Sequence, residues 1–285
     1  MTEPTSPTAV EPLYVAARSV LLDALTALQP HGLSVIVAGA QAIYLRTGDA
    51  NLAIAPYTTD GDLALNPSKL AETPTLEAAM LSADFQLSTE PGIWLATARV
   101  GEDDVCIPVD LIVPEGVATG AGRRDARLQG QGQRVARRAL GLEAALVDHS
   151  RLTIHALNPD DQRSIQAEVA GAAALLVAKL HKLHERVEGK RQSRVDDKDA
   201  ADVLRIMQTT KPADIADTLA SLTRDPIAGE PTTAALAYLD ALFGGRGRPG
   251  IMMAQRALRT ALPPERILAL CVSYTAAIRD RQGQD

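Results

Sequence analysis

The 285-residue chain has little of three things: cysteine, aromatic side chains and long apolar runs. Its two cysteines, Cys106 in "DVCIPVDL" and Cys271 in "LALCVSY", lie far apart in apolar surroundings. That spacing excludes a disulfide framework and predicts free, buried thiols in a cytoplasmic protein. Aromatics make up 3% of the residues, too few for a stacking platform along a single-stranded nucleic acid. No stretch of 18 apolar residues occurs, so no membrane-spanning helix is expected. The opening "MTEPTSPTAVEP" lacks the basic start and apolar core of a secretion signal, and residues 1–10 read as a disordered lead-in. An excess of positive charge is missing too: the net charge of −6 argues against a general coat for nucleic acid.

What is present fits a soluble globular chain long enough for two domains, with 46% hydrophobic and 22% charged residues. Basic charge is concentrated in one place. Arg123, Arg124, Arg127, Arg134, Arg137 and Arg138 stand against the single acid Asp125. Such a stretch on an acidic protein is either a local phosphate-binding patch or a solvated basic loop.

Periodicity predicts a helix over 11–29, with Leu13, Ala17, Val20, Leu21, Ala24 and Leu28 on one side and Pro30 closing it. "LSVIVAG" (33–39) reads as a buried strand and "AQAIYLRTG" as a brief helix ending near Gly48. "GDLALN" is the next strand, after which Pro67 opens a helical stretch to about Ser82. "GIWLATARV" (92–100) and "VCIPVDLIV" (105–113) are strands joined by "GEDD", with Pro108 suiting an edge or an irregular start. A loop rich in Gly, Arg and Gln covers 114–134. "RALGLEAALV" and "RLTIHAL" read as two strands of a hairpin around "DHS", the first with a helical alternative. From Ser164, "SIQAEVAGAAALLVAKLHKLHERVEG" reads as one long helix, and the remainder is helical. The expected organisation is an α/β domain with a mixed sheet over 11–158, followed by an all-helical domain over 159–285.

Within "TTDGDLAL", Asp60 and Asp62 are two residues apart, so on a strand both carboxylates project from one face. Held that close, they repel unless a cation lies between them, and Mg²⁺ suits a few carboxylates together with substrate phosphates. The alternative is an acidic turn in which Asp60 bonds its own backbone. A calcium loop is excluded by Ala64 and by the lack of glycine at Leu65. Upstream, "VIVAGAQA" runs strand, Gly39, helix, an arrangement in which phosphate approaches free backbone N–H groups. Downstream, Asp110 interrupts the apolar run "IPVDLIV", where a carboxylate needs a partner. His181 and His184 share a helix face but lack a third zinc ligand at a recognisable spacing. "GRGRPG" (245–250) follows a helix and carries a proline, so it is not a dinucleotide fingerprint.

Taken together, "VAGAQAIYL…YTTDGDLAL…PVDLIV" resembles the minimal nucleotidyltransferase core of the polymerase-β type. "LLVAKLHKLHER" and "DDKDAADVLRI" are similar to motifs of the abortive-infection nucleotidyltransferases of the AbiEii type, to which the MenT toxins belong. The resemblance covers about residues 33–206. It implies Mg²⁺- or Mn²⁺-dependent transfer of a nucleotidyl group from a nucleoside triphosphate, with the end of a tRNA as acceptor in a toxin–antitoxin setting. By the same resemblance the metal ligands are Asp60, Asp62 and Asp110, joined in the catalytic set by Lys179 and Asp199. Gly39, Ala40, Gln41, Thr58 and Asp202 belong to the nucleotide site, the arginines of 123–138 are a candidate tRNA contact, and an antitoxin is a candidate partner. Two positions depart from the family pattern: Ala40 replaces a phosphate-gripping Ser or Gly, and Pro56 replaces an arginine. Read without the resemblance, Lys179 is a surface lysine on an Ala-Leu helix, and Asp196, Asp197 and Asp199 are an acidic first helical turn.

Overall fold

A computed structural model of the chain describes residues 11–48, 57–119, 124–189 and 197–283. The lead-in, Pro56, Arg123 and Asp196 lie outside that set. Helix α1 (Pro12–Ala27) opens with Pro12 in its first turn and the Glu11 carboxylate accepting from the Tyr14 amide. It is followed by β1 (Val35–Ala38), α2 (Gly39–Thr47), β2 (Gly61–Leu65), α3 (Leu76–Ser82), β3 (Gln86–Leu87), β4 (Ile93–Val100) and β5 (Asp103–Pro114). Next come β6 (Arg137–Ala139), β7 (His149–His155) and β8 (Ser164–Ala170). The rest is helical: α4 (Ala172–Glu188), α5 (Asp197–Thr209), α6 (Pro212–Leu222), α7 (Gly229–Phe243), α8 (Pro249–Ala257) and α9 (Pro264–Gln282).

The strands form one mixed 8-stranded sheet in the order β3-β4-β5-β2-β1-β8-β7, with β6 also paired to β5. β1 is antiparallel to β2 and parallel to β8, while β2 runs parallel to β5. All four residues of β1 are buried, as a central strand covered on both faces requires. On one face lies α1, packed across β4, β5, β2 and β8. Gly61 is the point of closest approach: a Cβ there would stand 3.3 Å from Cδ1 of Leu21. Because side chains alternate along a strand, Asp62 projects from the opposite face, the one on which the helical half of the chain is built. Helix α2 bridges the two halves, touching β1 and β2 on one side and α4 and α5 on the other.

Pro108 sits where β5 has β4 alone as neighbour, since pairing with β2 starts at Val109. Over that stretch β5 is locally an edge, which tolerates a residue without an N–H donor. Among the described residues no helix is long and apolar enough to cross a membrane.

Four expectations need correction. The helical stretch from Pro67 is only a 3-10 turn over Pro67–Lys69, and α3 starts later, where Thr75 Oγ1 accepts from the Ala78 amide at 3.1 Å. The hairpin over 138–157 is absent. Gly141 (φ +87°) breaks the chain after β6, and the buried Glu143 carboxylate accepts from the Gly141 and Gly116 amides at 2.8 and 2.9 Å, stabilising a 3-10 turn instead. The partner of β7 is β8, which occupies Ser164–Ala170 in place of the first two turns of the expected long helix. Ile165, Ala167 and Val169 alternate there, Gly171 caps the helix that follows, and the sheet therefore extends past residue 158. Finally, Cys271 is buried but Cys106 is exposed, on the part of β5 that lies outside the core; both thiols are free.

Candidate active site

The register of the sheet brings the acidic residues together. Asp62 on β2 is directly opposite Asp110 on β5 and Ala38 on β1. Neighbouring strands are about 4.8 Å apart, so the two carboxylates share one face at that spacing. At the end of β1 the chain turns into α2 through Gly39, whose φ is +62°. A Cβ at Gly39 would lie 1.8 Å from Oδ2 of Asp62, so no side chain fits between the backbone and that carboxylate. Asp60 lies just before β2, and its Oδ1 accepts from the hydroxyl of buried Thr58 at 2.5 Å. Asp60 thus also makes a local turn contact, but with a side chain rather than its own backbone.

Burial raises the Asp62 carboxyl from its ordinary 3.8 to about 6, and the charges of Asp60 and Asp110 add to the rise, against the pull of Lys182 and Arg137. Asp110 has a cation of its own. Nε and Nη2 of Arg137, on β6, both donate to its Oδ2, at 2.9 and 2.6 Å.

A second charged cluster joins α4 to α5. Lys179 is buried, and its ammonium donates to Asp199 at 2.5 Å and to Asp202 at 2.7 Å. Burial works against the charged lysine, but the two carboxylates hold its pKa above the ordinary value. Burial likewise works against ionised Asp199, yet Lys179, Lys182 and Arg186 together hold its carboxyl below the usual range. Lys179 is therefore neither a surface lysine nor a cation turned wholly to the cleft. One turn further along α4, half-exposed Lys182 lies 3.4 Å from Asp199 and lines the cleft.

The remaining expected nucleotide residues are dispersed. Ala40 and Gln41 are buried in α2, and Gln41 Oε1 accepts from Nε of Arg18 on α1 at 2.9 Å. Asp202 belongs to the lysine cluster, and Tyr44 OH lies 3.4 Å from its Oδ1. Thr58 acts through Asp60. Of the basic stretch, Arg137 and Arg138 turn toward Asp110 and Glu115, whereas Arg124, Arg127 and Arg134 are exposed. Arg123 lies outside the described residues.

Asp62 and Asp110 share a cleft of about 1040 Å³ with Lys179 and Lys182, a volume at the upper end for ligand sites. Gly39, Asp62 and Asp110 line its sheet side; Lys182, His184 and Tyr238 line its helical side. Neither Lys182 nor Arg137 stands out in the sequence: Lys182 opens a second Lys-Leu-His in "AKLHKLHER" directly after that of Lys179, and Arg137 is one of six arginines in the stretch 123–138. Among the described residues no group of three or more His, Cys, Asp or Glu is arranged to hold a metal ion. The donor chemistry nevertheless suits one hard cation at Asp60 and Asp62, because Mg²⁺ takes one or two carboxylates and keeps waters. Asp110 fits less well while Arg137 occupies its Oδ2.

No protein-family model matches this chain, and no curated protein matches it either.

Two consequences are measurable. Between about pH 4 and pH 6 the folded state holds a proton on Asp62 that the unfolded state has lost, so metal-free stability falls through that window. Asp62→Asn removes the penalty and is expected to raise stability by about 2–3 kcal/mol at pH 8, with little change at pH 4. Equal melting temperatures of wild type and variant at pH 8 would contradict this. Lys179→Met strands Asp199 and Asp202 without their central cation and is expected to lower stability by about 3–5 kcal/mol in urea denaturation. Adding Asp199→Asn and Asp202→Asn should recover much of that loss; no recovery would show that the lysine acts by packing alone.

Proposed function

We propose that the protein is a divalent-metal-dependent nucleotidyltransferase that moves a nucleoside monophosphate from a nucleoside triphosphate to an acceptor hydroxyl. The observation that carries this reading is the juxtaposition of Asp62, Asp110 and the side-chain-free backbone of Gly39 on one wall of the cleft. Carboxylates beside the start of a helix provide for a cation and a polyphosphate at once. Asp60 and Asp62 would hold Mg²⁺ or Mn²⁺, with Asp110 as third carboxylate once Arg137 shares it. A cation held there would supply charge neutralisation for phosphate oxygens during an in-line displacement.

The chain's own groups do the rest. Gly39 lets a phosphate come close to the N-terminal amides of α2, where Ala40 supplies no hydroxyl and the backbone alone must serve. Lys182 adds positive charge from the opposite wall. The buried cluster of Lys179, Asp199 and Asp202 fixes α4 against α5 and so sets where Lys182 stands. In the transfer, the acceptor oxygen bonds to the α-phosphorus, the bond from that phosphorus to the bridging oxygen breaks, and pyrophosphate leaves. The hydroxyl proton passes to a carboxylate of the site.

The tRNA acceptor and the toxin role rest on the family resemblance, supported by exposed Arg124, Arg127 and Arg134. Transfer to a protein or a small molecule uses the same site. The Arg137–Asp110 pair favours a second reading, a non-catalytic nucleotide-binding protein in which arginine has taken a metal's place.

Incubation with Mg²⁺, each α-labelled nucleoside triphosphate and total tRNA is expected to label RNA. Asp62→Ala should lower the signal at least a hundredfold, and Lys182→Ala about a hundredfold, as loss of one charge-stabilising donor does. Tight Mg²⁺-dependent nucleotide binding with no transfer to RNA, protein or small molecule would select the non-catalytic reading.

A further inference from the structure

The chain has eight aromatic residues, and six of them, Tyr14, Tyr44, Phe85, Trp94, Phe243 and Tyr274, are buried. Tyr57 and Tyr238 are the two whose rings reach the surface. Tyr57 carries the Lys198 ammonium 5.5 Å from its ring centre. Tyr238, on α7, lines the cleft. The His184 ring stacks on it, with centroids 3.7 Å apart and planes 10° from parallel. His181 meets the same tyrosine edge-on, at 5.2 Å and 89°. His181 is itself fixed, since its Nε2 donates to the Pro231 carbonyl at 2.8 Å and a Cβ at Gly141 would lie 2.7 Å from its ring. Beside Gly141, Leu140 is 56% exposed and lines the same cleft.

An apolar, pre-stacked surface in an otherwise charged cleft calls for a planar ligand group. Its distance from the acids is set by the helix. Residues of α4 advance by 100° each, so Lys182 and His184 are 200° apart, on opposite flanks of a helix about 10 Å wide. Lys182 stands close enough to Asp62 to act on its charge, whereas His184 stacks on Tyr238, and all four residues line the one cleft. The sugar of a nucleotide bridges a comparable gap between phosphate and base.

We propose that the His184–Tyr238 stack, with Leu140, is the shelf that receives the nucleobase of the bound nucleoside triphosphate. This rests on the nucleotidyl-transfer reading above and adds where the base lies. Stacking accepts the π-face of any base, so the shelf binds all four nucleotides and favours the larger purines. It makes few demands on aromatic content, which is how a chain so poor in aromatics can still provide it.

Calorimetric titration with Mg-ATP, and with magnesium tripolyphosphate, which has the phosphates and no base, tests the assignment. Wild type should bind ATP about tenfold more tightly than tripolyphosphate. His184→Ala and Tyr238→Ala should each lower ATP affinity toward the tripolyphosphate value while leaving tripolyphosphate binding unchanged, which also shows that the variants fold. His184→Phe, which keeps a π-face, should retain ATP affinity. Equal losses for both ligands would mean that the stack only packs α4 on α7 and would overturn the shelf. So would unaltered ATP affinity in both alanine variants, or a loss confined to tRNA affinity. If wild type bound ATP and tripolyphosphate equally, the shelf alone would fail; if it bound neither, the nucleotidyl-transfer reading would fail and the shelf with it.

Discussion

Asp62 is pressed between its strand neighbours and a backbone turn that leaves no room for a side chain, and the surrounding structure answers that crowding. β1, β2 and β5 set Asp62 beside Asp110 by register, and α2 has to start with a residue of positive φ and no Cβ. Nothing in folding alone favours such a place for a carboxylate, since burial and like charge both oppose its ionisation. The chain supplies partial relief from two directions, Arg137 from β6 and Lys182 from α4. A site that keeps unrelieved charge at the centre of a sheet is the kind of local conflict expected where stability has yielded to function.

The two lysines of α4 divide the work. Lys179 is locked between Asp199 and Asp202, and Asp199 in turn gathers Arg186 and Lys182. A buried ion cluster of this type is weak evidence for net stability and stronger evidence for a fixed arrangement, because every member loses its partners if one helix rotates. Arg205 extends the arrangement to the sheet side, donating from α5 to Thr47 Oγ1 at 2.7 Å and to the Gly48 carbonyl at 2.9 Å. Arg46, in the last turn of α2, ties that helix to β8 through the Val169 and Ala170 carbonyls. The cleft walls are therefore held by directional bonds across the junction of sheet and helices, where apolar packing alone would allow sliding.

The parts of the site that follow from local chain geometry were legible in the sequence. Strand, glycine, helix is written in "VIVAGAQA"; Asp62 and Asp110 stand out because acids in apolar strands need explaining, and Asp60 because it is paired two residues before Asp62. The parts that depend on tertiary pairing were not. Arg137 gives no hint that it will reach Asp110, because their pairing depends on β6 joining β5 although the two residues are 27 positions apart. Gln41 looked available to phosphate and is instead drawn to Arg18, a partner on another helix. The strand at Ser164–Ala170 was masked by the alanine-rich helix just after it, whose composition dominates any long window; only the alternation of Ile165, Ala167 and Val169 and the break at Gly171 separate them.

Arg137 is where the two functional readings meet. Two of its N–H groups end on a single oxygen of Asp110, so the pair is strong but geometrically one-sided. A divalent cation held at Asp62 would compete with the guanidinium for Asp110, and the competition would have a sign. A cation bound there would weaken the hold of the guanidinium by like-charge repulsion, and the two would share the lone pairs of one carboxylate. In a degenerate site the arginine wins permanently, and a nucleotide binds with its phosphates facing a fixed organic cation. On the proposed enzymatic reading the arginine would yield Asp110, and its charge, beside Arg138 on the cleft wall, would then be open to a phosphate. Arg137 thus offsets part of the charge that Asp110 brings beside Asp62, and the two readings differ in whether that pairing would persist once a nucleotide is bound.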